Sequence, residues 1–104
     1  MNHGKMIDVD TKNLQLNNLK DVSFLPKMIA DFSSLEKLDL SDSDLRSSES
    51  VLALCQMIDD NDSLNSLVLR KCMLNARALN TLSDALRKSK NYNLRHLDIT
   101  ENPI

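Results

Sequence analysis

The chain is poor in residues that staple, kink or loosen a fold: its 104 positions hold one glycine, two prolines, two cysteines, three aromatics and no tryptophan. With Gly4 as the sole glycine, a glycine-rich loop able to wrap a phosphate is excluded. Cys55 and Cys72 are too few to frame a disulfide-rich mini-domain, and their spacing matches neither a Cys-x-x-Cys redox pair nor a zinc site. Both are expected to be small buried hydrophobes in a reduced, intracellular protein. A surplus of positive charge is also missing. Thirteen basic residues face fifteen acidic ones, leaving a net charge of −2, so no nucleic-acid partner is expected. No stretch approaches the roughly 18 apolar residues of a membrane span. The start, Met1 to Lys5, lacks the apolar run of a secretory signal, and a cytoplasmic location without membrane attachment is the expectation.

Catalysis needs convergent groups, and the sequence supplies no such set. His3 sits near the N-terminus, and His96 lies close to Asp98 with no serine or cysteine nucleophile beside it. A non-enzymatic chain without cofactor or metal is expected.

Leucine, by contrast, is the commonest residue, and it is set in a repeating frame. Leu35–Leu45 (LEKLDLSDSDL), Leu64–Leu74 (LNSLVLRKCML) and Leu94–Ile104 (LRHLDITENPI) align without gaps and begin at nearly equal intervals along the chain. Each carries an apolar residue at places 1, 4, 6 and 11, and Ser43, Cys72 or Asn102 at place 9. A degenerate copy, Gly4–Leu14, keeps Ile7, Val9 and Leu14 at places 4, 6 and 11, with Lys12 at place 9. Places 3 to 7 alternate in the period of a strand buried on one face: Leu38 and Leu40 in, Lys37, Asp39 and Ser41 out. The place-9 side chain falls where the strand turns away, able to bond backbone groups left unpaired there.

Between these segments the apolar period lengthens to that of a helix. Leu25, Met28, Ile29 and Phe32 form one stripe, Val51, Leu54, Cys55 and Ile58 a second, and Leu79, Leu82 and Leu86 a third. Pro26 suits a first helical turn, Ser47 or Ser48 starts the second helix and Asn75 the third, with Lys88 and Lys90 closing it. The polar runs 59–63 and 91–93 read as helix-to-strand loops.

The pattern LxxLxLxx(N/C/S)x(L/I), followed by a helix and recurring at that interval, resembles the leucine-rich repeat family, in its ribonuclease-inhibitor-like subfamily. The resemblance implies an α/β fold: a right-handed solenoid of about four repeats, with parallel strands on the concave face and helices on the convex face. It implies a single domain over 1–104, with repeats at about 4–34, 35–63, 64–93 and an incomplete 94–104. It also implies a protein partner engaged by the concave strand face. The open alternatives are a structural or self-association segment and a regulatory fragment of a larger protein.

The outward strand positions are then the candidate binding residues: Lys37, Asp39, Ser41, Asp42, Ser66, Val68, Arg70, Lys71, His96, Asp98 and Thr100. With Met6, Asp8, Asp10 and Thr11 from the degenerate copy, the face reads acidic in its first half, basic at Arg70 and Lys71, then mixed. Asp8 is expected beside Asp39, a carboxylate strip that Val68 interrupts before Asp98. No aromatic falls on this face, and Arg70 is its one residue of a type enriched at interface hot spots. The last strand has nothing after it, so either more sequence follows or two copies form a homodimer through their C-terminal strand edges.

Overall fold

A computed structural model describes residues 12–30, 32, 34–89 and 93–103. Four short strands alternate with three helices: β1 (Asn13–Gln15), α1 (Leu25–Ile29), β2 (Lys37–Asp39), α2 (Ser48–Asp60), β3 (Ser66–Val68), α3 (Ala76–Lys88) and β4 (His96–Asp98). The strands form one parallel sheet in chain order, and the helices neighbour one another in the same order. The result is an α/β stack compatible with a repeat solenoid. No helix among the described residues is long and apolar enough to cross a membrane.

Alternation along each strand divides the sheet into two faces. Leu38 and Leu67 are buried on the helix side with Leu40 and Leu69, and Leu35 and Leu64 close the same layer. Leu54, Met57 and Ile58 of α2 and Leu82 of α3 pack against them. The register sets Leu38 opposite Leu67 and Leu67 opposite Leu97, which reproduces the spacing of the sequence pattern.

The first repeat departs from that pattern. Leu14 stands opposite Leu38, so the step from β1 to β2 is shorter than either later step, and Gln15 pairs with Asp39. Gln15, not Asp8, is therefore the strand neighbour of Asp39, and the inward pair of β1 is Leu14 and Leu16, half-buried against the core. Met6, Ile7, Asp8, Val9, Asp10 and Thr11 lie outside the described residues, as do Lys90 and most of the expected 91–93 loop. The physical reason for the shifted register is helix length. Five residues of α1 stand where α2 and α3 each have thirteen, so a frame that assumes a constant repeat length overshoots the strand.

Backbone geometry carries the same register. Asn18, Asp42, Lys71 and Glu101 occupy one place in successive repeats, and all four have φ between 54° and 66°. Each left-handed residue turns the chain out of the strand. The first three donate their N–H to the carbonyls of Ser41, Arg70 and Thr100 in the following repeat.

Place 9 follows the sequence expectation. Ser43 Oγ accepts from the Leu19 N–H at 3.0 Å, and the Cys72 thiol donates to the Leu40 carbonyl at 3.2 Å. Asn102 does most: its Oδ1 accepts from the N–H groups of Cys72 and Leu74, and its Nδ2 donates to the carbonyls of Leu69 and Ile99, all at 2.8–3.0 Å.

The helix starts also stand as read. Ser47 caps α2 by accepting from the Ser50 N–H, Asn75 caps α3 by accepting from the Ala78 N–H, and Pro26 lies in the first turn of α1. Two details differ. Phe32 falls beyond α1, and Met28 is exposed, so Leu25 and Ile29 alone anchor that helix. The polar run 59–63 is not wholly loop: α2 continues through Asp60, and Asn61 is buried, its Nδ2 donating to the Met57 carbonyl. Cys72 is buried, Cys55 is half-buried, and the two are free.

Candidate functional site

Residues that point away from the helices form rows across the open face of the sheet. One row is Asn13, Lys37, Ser66 and His96, and the next is Gln15, Asp39, Val68 and Asp98. Continuing the register adds Asn17, Ser41, Arg70 and Thr100, then the left-handed Asn18, Asp42, Lys71 and Glu101. The observed β1 register replaces an expected acidic opening with four carboxamides. The face therefore begins neutral, and its carboxylates are Asp39, Asp42, Asp98 and Glu101.

Eight of the eleven sequence-expected residues line one shallow depression of about 390 Å³: Lys37, Asp39, Ser41, Asp42, Val68, Arg70, Lys71 and Asp98. Ser66, His96 and Thr100 lie on the same face outside that lining. Asp39, Val68 and Asp98 are half-buried rather than exposed: Asp39 and Val68 lie between flanking strands, and Asp98 sits against Thr100 and Arg70.

Charges on this face are mostly answered within the chain. Arg70 lies 3.4 Å from Glu101, reaches Asp98 at 4.0 Å and donates to Thr100 Oγ1 at 3.1 Å. Lys71 lies 3.3 Å from the other Glu101 oxygen. The expected basic patch is thus compensated by the following repeat, although these groups are about half exposed and their pairing is worth little in water. Glu101 is the member that the expected set omits. The signal for it is opposite charge at one place in consecutive repeats, Lys71 then Glu101.

The Asp39 carboxylate accepts from the Ser41 N–H at 3.0 Å, and the Asp98 carboxylate repeats the motif with the Thr100 N–H. The Thr100 backbone N–H, then its hydroxyl and less so Arg70, hold the Asp98 carboxyl below the ordinary range. Where Thr100 donates its hydroxyl to Asp98 at 2.7 Å, Ser41 has no such bond, and its hydroxyl oxygen is buried without a partner among the described residues. Lys37 and Asp42 make no ion pair among the described residues.

The fold and this face define a class: parallel strand–helix repeats that offer a polar, side-chain-lined sheet surface. No family model matches the chain, and no solved structure matches it. Over 82 residues, 78% of its length, the chain is 34% identical to a mouse (Mus musculus) protein named NACHT, LRR and PYD domains-containing protein 4C. The chain spans about 8% of that relative's length.

Proposed function

We propose that the chain is a leucine-rich-repeat module of the ribonuclease-inhibitor-like kind, a right-handed solenoid that binds a protein through its concave strand face and performs no chemistry of its own. The observation that carries this reading is the depression lined by Lys37, Asp39, Ser41, Asp42, Val68, Arg70, Lys71 and Asp98. It is wide, shallow and polar, suited to a protein surface rather than to an enclosed small molecule. The similarity to a relative whose name includes LRR supports the repeat assignment. Lys37 and Asp42, exposed and without an ion pair among the described residues, are the charges left for a partner to answer. Patterned charge of this kind acts on association rate and specificity more than on affinity. The cytoplasm is the proposed location.

The test is capture of partners from cytoplasmic extract by the wild type and by two charge-reversal pairs, Lys37→Glu/Asp42→Lys and Arg70→Glu/Lys71→Glu. The expected result is loss of the same protein in both variants, with the melting temperature little changed because all four side chains are solvated. Equal capture by all three proteins would remove the strand face as the site.

A further inference from the structure

Charge is answered unevenly across the strand-face depression. Arg70 and Lys71 stand beside Ser41 and Asp42 of β2, yet both turn the other way. Arg70 reaches Thr100, Glu101 and Asp98, and Lys71 reaches Glu101. Those two cations balance the carboxylates of Asp98 and Glu101. What remains in the lining is Lys37 at one end and, nearer the turn, Asp39 and Asp42, one net negative charge. The Asp42 side chain makes no hydrogen bond or ion pair among the described residues. Asp39 is met by uncharged donors alone, the Ser41 N–H at 3.0 Å and the Asn17 amide at 3.4 Å, and both fall on its Oδ1. Its Oδ2 has no partner among the described residues. Directly across from Asp39 on the neighbouring strand lies Val68, a half-buried apolar residue among polar ones.

We infer that this depression seats an arginine side chain of a protein partner, its aliphatic stem on Val68 and its guanidinium between Asp39 and Asp42. The inference rests on the strand-face reading above and names the chemistry that the face selects. An arginine stem carries methylenes that cover Val68 while the charged head stays among polar groups. Its planar head holds five N–H donors in a fixed fork, enough to meet two separate carboxylates at once. A lysine ammonium is a compact point charge, suited to one carboxylate or the other. A glutamate in the same place would face Asp39 and Asp42. A purely apolar side chain would strip both carboxylates of water and return no hydrogen bond. The cation already nearest to them is Arg70, and its contacts with Thr100 and Glu101 draw it toward β4. Asp39 is in addition fixed in place by the Ser41 N–H, so less side-chain freedom is lost when a guanidinium arrives.

The experiment is a nuclear magnetic resonance titration of the full chain, labelled at its amides and valine methyls. The probes are N-acetyl-arginine amide, the same compound of citrulline, which keeps the shape and loses the charge, and that of glutamic acid. Arginine should give saturating shifts centred on the Val68 methyls and the Ser41 and Asp42 amides. Citrulline should bind about tenfold more weakly, and so should arginine to the variant Asp39→Asn/Asp42→Asn, because both lose the charge-assisted bonds. Asparagine at position 39 keeps an acceptor for the Ser41 N–H, and circular dichroism confirms the fold of the variant. Citrulline shifts equal to those of arginine overturn the inference, as do arginine shifts that miss Val68 or survive the double substitution. Glutamate shifts at Val68 stronger than those of arginine also overturn it, while leaving the strand face as an interface. Loss of one captured protein with both charge-reversal pairs, without any arginine shift, has the same meaning. Equal capture by the charge-reversal variants removes the strand face and this inference together.

Discussion

Asn102 holds Cys72 across a full repeat: its side-chain oxygen accepts the Cys72 backbone N–H at 2.8 Å while the same amide's nitrogen reaches the Leu69 carbonyl. One carboxamide thus satisfies donors and acceptors that the turn removes from the sheet. Asn102→Ala leaves those groups unpaired at a half-buried site. The expected cost is about 1–3 kcal/mol, read by urea denaturation. A variant as stable as wild type would mean that water replaces the amide without penalty.

Leu67→Ala should cost about 2–5 kcal/mol, because the side chain is buried between two neighbouring repeats. Leu97→Ala, one repeat later and half-buried, should cost clearly less. Paired chemical denaturation curves test the gradient, and equal losses would contradict it.

The left-handed places give a sharper contrast. Lys71 has φ 54°, where a β-branched side chain is least tolerated. Lys71→Val should destabilise by about 1–2 kcal/mol, whereas Lys71→Gly should be close to neutral, since relief of the backbone offsets a more flexible unfolded chain. Matching melting temperatures for the two variants would show that this turn is not constrained.

Burial pushes the Cys72 thiol up to about 11 from an ordinary value of 9.0. A raised thiol favours the folded state while it stays protonated. Its contribution is therefore full below pH 9 and is lost as pH climbs from 9 toward about 11, where only the unfolded chain ionises readily. Cys72→Ala should flatten that alkaline decline. At neutral pH, a thiol-labelling reagent should modify half-buried Cys55 well before Cys72; simultaneous reaction would contradict the buried placement.

Three of the four repeats were legible because their chemistry is periodic. Alternation at Leu38 and Leu40, the helical stripe at Val51, Leu54 and Ile58, and the caps Ser47 and Asn75 each report a local preference that tertiary packing reinforces. Six of the eight residues lining the strand-face depression followed from that alternation, and Asp42 and Lys71 from the place where the chain turns out of the strand. The first repeat was not legible, because an apolar pair at Ile7 and Val9 mimics a strand as well as Leu14 and Leu16 do. What decides between them is the length of α1, a packing outcome with no signature in the frame itself. The Arg70–Glu101 and Lys71–Glu101 pairs were missed for a related reason. Outward positions were read within a strand, while ion pairs form between strands.

Among the described residues, every contact of helix with helix or strand with strand joins adjacent repeats: α1 to α2, α2 to α3, and each strand to the next. Nothing described ties the first repeat to the last. A chain wired this way has no single keystone, and its cooperativity is passed along like tension in a row of linked hooks. Under a stretching force applied at the two termini, the end repeats should peel away before the middle, and β3 with α2 should be the last piece to surrender. Partial unfolding would then lengthen the molecule in steps of about one repeat, leaving the central part of the strand face intact while the ends are already undone.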